Sequence, residues 1–221
     1  MMIKVLRFII GFLLIPLCIA VTVSFYKGIV SIKNISGSGL IFLLGVVSYS
    51  ILHILLFKLD FLYILGHELM HAIATFFSGG KVLSFKVSSK GGNIKTSASP
   101  NFFVILAPYL IPGYTVFVVF LYFIFSLFMD VTRYSELFMF FVGFTLMFHL
   151  AHTAQSVKEK QSDLIKTGYL FSISSVYIIN LIFVFFIVSM LFREASFFDF
   201  FSGSYEKARH FYYSFWKQLF M

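Results

Sequence analysis

The chain has 221 residues, 60% hydrophobic and 12% charged, with a mean hydropathy of +0.95, whereas soluble domains run at about 45–50% apolar and about 25% charged. No stretch is long and polar enough to build a soluble domain, so the composition specifies an integral membrane protein. The net charge of +8 is scattered through loops and tail, which argues against nucleic-acid binding and fits attraction to anionic lipid head groups.

A hydrocarbon core about 30 Å thick needs about 20 apolar residues in helical form, because lipid cannot satisfy open backbone groups. Six runs meet that need: residues 8–25, 39–57, 61–78, 101–129, 136–156 and 168–192. The first has the basic flank of a secretory signal but no small-x-small cleavage site, and reads as a retained span. Cys18 within it is the only cysteine, so an intramolecular disulfide is excluded. The second and third are separated only by Lys58 to Asp60 and read as an antiparallel pair with a tight turn. Between the third and fourth, residues 81–97 alternate Leu83, Phe85 and Val87 with Ser84, Lys86 and Ser88, a strand pattern; Gly91 and Gly92 permit a turn and Asn93 to Thr96 a short return strand.

From Arg193 onward the tail is rich in aromatics and interspersed charge, with Gly203 dividing it in two, and reads as an interfacial amphipathic segment. The expected fold class is therefore an all-α polytopic membrane protein with a small β-hairpin. It divides into two N-terminal spans (1–60), a core (61–167), and a last span with its tail (168–221). With six spans, Lys and Arg number eight on one face and nine on the other, so loop charge does not set the orientation.

The third run carries the chemistry. In "GHELMHAIA", residues 66–74, His67 and His71 are four apart and project from one helix face at a spacing that lets two imidazoles reach one metal ion. Glu68 points about 100° away from His67, close enough to touch a water on the metal without displacing it. A carboxylate inside a bilayer costs at least about 2.5–3.5 kcal/mol on insertion scales, and a metal with its water supplies the missing partner. Two histidines leave a tetrahedral zinc one protein ligand short.

Candidates for the third ligand lie in residues 148–168: His149, His152, Glu159 and Asp163. On an unbroken helix His149, His152 and Asp163 would share a face, but eleven residues of helix span about 16 Å, too far for one metal. Spacing does not choose among them. His53 reads as a packing histidine and His210 as a tail residue. Asn101, Thr153, Gln155 and Gln161 are candidate lining groups for a water path.

"GHELMHAIATFFSGGKVLSFKV" resembles the catalytic segment of the site-2-protease-like intramembrane zinc metallopeptidases, and "QSDLIKTG" and "APYLIPGY" resemble later segments of the compact bacterial branch. The resemblance covers about residues 61 to 170. It implies Zn2+ held by His67, His71 and Asp163, with Glu68 as general base, in a multi-pass protein of a bacterial cell membrane whose substrates are membrane proteins with a transmembrane helix. The Asp-Gly pair of better-known members is absent, since Leu164 follows Asp163. The resemblance also places the hairpin and the aspartate in the cytosol, whereas the Lys4 and Arg7 flank favours the reverse. The other function class is a non-enzymatic metal-binding membrane protein, a permease or scaffold, which would keep its function without the acid of Glu68.

Overall fold

A computed structural model describes residues 2–56, 59–89, 91–97 and 100–221. Among these, helices α1 (Met2–Val30), α2 (Gly37–Ile51) and α3 (Asp60–Phe77) precede an antiparallel hairpin of β1 (Val82–Ser88) and β2 (Gly91–Thr96). Helices α4 (Phe102–Leu110), α5 (Gly113–Ser126), α6 (Ser135–Lys158), α7 (Ser162–Thr167), α8 (Tyr169–Leu191) and α9 (Phe197–Phe220) follow. The chain forms two compact units, residues 37–164 and residues 1–36 with 165–221.

Among the described residues four helices are long and apolar enough to cross a membrane: α1, α2 with its extension, α6 and α8; the bent pair α4–α5 is a fifth if counted as one span. Among the described residues α3 does not qualify, because the polar groups of the metal motif interrupt its apolar run. The fourth expected run is two helices meeting at 72°. Pro112 cannot donate to a helical ladder and pushes its predecessor out of the α region, and Ile111 is extended at φ −115°, ψ 120°.

In the unit of residues 37–164, α2 packs on α6 rather than pairing principally with α3. The contact depends on glycine: a Cβ at Gly45 would lie 2.1 Å from the Phe140 carbonyl oxygen, and one at Gly143 2.1 Å from that of Phe42. Such backbone approach is how small residues bind helices together where lipid removes the hydrophobic driving force. A π-helical turn, Leu52–Leu56, ends α2; the expected tight turn begins at Lys58, which lies outside the described residues. Helix α3 packs against α4, α5 and both strands. The hairpin pairs Phe85 with Ile94 and Val87 with Gly92, so both glycines expected in the turn belong to β2, with Lys90 outside the described residues.

In the other unit, α1 packs on α8 and α9 around Val21, Ile178, Phe185, Val188 and Phe200. The tail is one continuous helix and Gly203 does not divide it. Helix α9 lies along α1: Lys207 Nζ donates to Ser24 Oγ at 3.0 Å, and the Tyr212 hydroxyl donates to the Leu13 carbonyl. Gly203 faces α1 at this contact: a Cβ there would sit 3.4 Å from Ser24 Oγ.

Candidate metal centre

His67 and His71 lie on one face of α3, and their Nε2 atoms are 3.1 Å apart. The third group comes from beyond the end of α6. That helix closes through Glu159 N to Gln155 O (2.9 Å), Lys160 N to Val157 O (3.1 Å) and Gln161 N to Ser156 O (3.1 Å). Lys160 takes the left-handed conformation at φ 52°, as chains do when leaving a helix. The reversal carries Asp163, in the first turn of α7, back to α3, where its Oδ2 lies 3.5 Å from Nε2 of His67 and 3.5 Å from Nε2 of His71.

The fit to a metal can be tested on these distances. Bonds of about 2.0–2.2 Å at the tetrahedral angle place neighbouring donor atoms about 3.3–3.6 Å apart. The three sides here are 3.1, 3.5 and 3.5 Å. Two nitrogens and one carboxylate oxygen thus form a group that can hold a metal ion.

Both imidazoles are held from behind. His71 Nδ1 donates to the Val104 carbonyl at 2.8 Å, which in the neutral ring leaves the lone pair on Nε2, toward the centre. His67 Nδ1 lies 3.5 Å from the Tyr63 hydroxyl, which is 2.6 Å from Ser156 Oγ. Tyr109, 1% exposed, sets its ring edge-on to His67 with centroids 5.2 Å apart and donates to Gln161 Oε1 at 2.6 Å, tying α4 to the segment that carries Asp163.

Glu68 is buried at 8% exposure and does not belong to the ligand group. Strand β2 covers it: a Cβ at Gly92 would lie 2.4 Å from Glu68 Cγ and 2.8 Å from Oε1. A methyl group at position 92 would have to displace the Glu68 side chain.

The remaining candidates go elsewhere. Glu159 is exposed and accepts from Gln155 Nε2 at 2.6 Å. His152 is buried, stacked on Tyr63 at 4.4 Å and edge-on to His53 at 5.2 Å; His53 Nδ1 is 3.1 Å from the Tyr49 hydroxyl. His149 lines a cavity of about 510 Å³, which also reaches His67 and is otherwise walled largely by apolar groups such as Met70, Phe103, Phe117 and Phe148. His210 is exposed on α9. Asn101 caps α4 by accepting from Val104 N at 2.9 Å, and Thr153 is buried in α6. Tyr63 and Tyr109 have no role in the sequence reading, and Gly92 enters it as a turn residue, not as a neighbour of Glu68. Tyr63 carries a signal that would have found it, since it stands four before His67 on the same helix face.

Comparison with protein-family models, curated proteins and solved structures finds no match. The functional reading therefore rests on the site.

Proposed function

We propose that this chain is an intramembrane zinc metalloendopeptidase that cleaves peptide bonds in or near transmembrane segments of other membrane proteins. The observation that carries the reading is the convergence of His67, His71 and Asp163 at near-tetrahedral spacing, beside a buried carboxylate one residue from the first ligand. Two imidazoles and a single carboxylate suit zinc, and a set of three protein ligands leaves a position for water and substrate. Zinc bound there supplies Lewis-acid polarisation of the scissile carbonyl and a water acidic enough to attack near neutral pH.

The chain's own residues supply the rest. Glu68 takes the proton of the attacking water and returns it to the leaving amine. Its confinement between α3 and Gly92 orients it without making it a ligand. Helix α3 is then a sixth inserted segment, its polar groups neutralised by the metal, and the lipid bilayer of a bacterial cell is its setting. The cavity beside His67 accommodates apolar side chains of the substrate. Phe85, exposed on β1, marks a strand that an unwound substrate can meet.

The test is zinc analysis and cleavage of a model transmembrane peptide by purified wild type and Glu68→Gln. The reading expects one bound zinc in both proteins and cleavage only in the wild type. A Glu68→Gln protein that cleaves as well as wild type, or a wild type without zinc, overturns it.

A further inference from the structure

In an α-helix the carbonyl of residue i accepts from the amide of residue i+4. For Val104 in α4 that partner is Pro108, which has no N–H. The ladder is otherwise regular on both sides of the gap: Ile105 N donates to Asn101 O and Ile111 N to Ala107 O, each at 3.1 Å. The carbonyl left without its intrahelical amide is the one that accepts from His71 Nδ1 at 2.8 Å. The sharp bend of this segment lies at Ile111–Pro112, outside α4, so Pro108 does not mark the bend.

A carbonyl oxygen only accepts, so His71 carries a hydrogen on Nδ1, and the neutral ring then presents its lone pair on Nε2, the atom facing His67 and Asp163. We infer that Pro108 is a positioning residue for His71: by withholding a backbone amide it reserves the Val104 carbonyl for the imidazole, and so holds the ring in the tautomer and orientation that a metal needs. An ordinary residue at 108 would bring an amide hydrogen to the same oxygen, taking one of its two lone pairs and weakening its hold on the imidazole. Partners of this kind behind ligating histidines change metal affinity by about 10- to 100-fold when removed. The consequence for zinc rests on the metallopeptidase reading; the hold on the tautomer does not.

Two variants of the full chain separate the missing amide from the shape of the ring. Pro108→Ala restores the N–H, whereas lactic acid placed at 108 through a backbone ester has the same methyl group and no N–H. The first readout needs no metal: nitrogen NMR of histidine-labelled protein in micelles, with His71 assigned through His71→Gln. Wild type and ester should give the Nδ1–H tautomer, and Pro108→Ala a mixture of the two. The second is zinc affinity by chelator competition, expected to be about 10- to 100-fold weaker in Pro108→Ala and within about two-fold of wild type in the ester. A Pro108→Ala protein with an unmixed Nδ1–H tautomer overturns the inference, as does an ester variant that falls as far as alanine does. A wild type that keeps the tautomer pattern but binds no zinc leaves the positioning standing and overturns the peptidase reading instead.

Discussion

Helices α3 and α6 each carry two histidines at spacings that align them on a face, His67 with His71 and His149 with His152, and all four are buried or nearly so. They have different surroundings. The α3 pair faces a carboxylate and has a backbone carbonyl and a phenol behind it. The α6 pair faces aromatic rings and an apolar cavity. The spacing of two imidazoles makes a metal site possible, and an anionic oxygen at the third corner distinguishes one pair from the other.

The largest effect should come from the acid beside the first pair. Glu68→Gln is expected to lower kcat by at least about 10²- to 10⁴-fold, the contribution of a general base, with zinc content unchanged by elemental analysis. The contrast between the pairs is sharpened next by the ligands: Asp163→Ala should weaken zinc binding by more than about 100-fold, beyond the usual cost of an outer partner, while Glu159→Ala and His149→Gln leave stoichiometry at the wild-type value. Zinc lost from His149→Gln but kept in Asp163→Ala would reverse the comparison. Gly92→Ala forces a methyl group onto Glu68, and a displacement of about 1 Å in a catalytic group costs up to about 100-fold in rate; peptide cleavage should fall with zinc retained.

Two smaller changes test how the pairs are joined. Tyr63 touches both, its hydroxyl near His67 and its ring on His152. Tyr63→Phe keeps the stacking and removes the hydroxyl, so chelator competition should find zinc affinity down by about 10-fold. Lys160→Gly relieves a left-handed backbone that costs a non-glycine residue about 1 kcal/mol, and thermal unfolding in detergent should register a gain of that order with the site intact. A loss of stability instead would mean that the lysine side chain contributes to the reversal that delivers Asp163.

The hairpin was legible because alternation is a local property, and β1 and β2 fall within the residues that show it. The pairing of His67 and His71 was legible for the same reason, since four residues of helix fix the separation of two side chains. The fourth run is two helices and not one because Pro112 forces Ile111 out of the helical region, a steric effect that is equally local but that apolar content does not register. Helix α9 continued through Gly203 because its packing on α1 outweighs the modest helix preference lost at one glycine.

By itself the sequence determined a helical chain with several segments apolar enough to cross a membrane, and two imidazoles and an acid on one helix, because hydropathy and helical periodicity act over a few residues and need no partner. Tertiary structure alone decided that Asp163, rather than Glu159 or the α6 histidines, joins them. It also decided that a carbonyl freed by Pro108 stands behind His71 and that Gly92 seats Glu68. The physical reason is that each of these pairings joins groups some 24 to 96 positions apart in the chain, and only the reversal at Lys160 and the packing of α4 and β2 on α3 bring them within bonding distance.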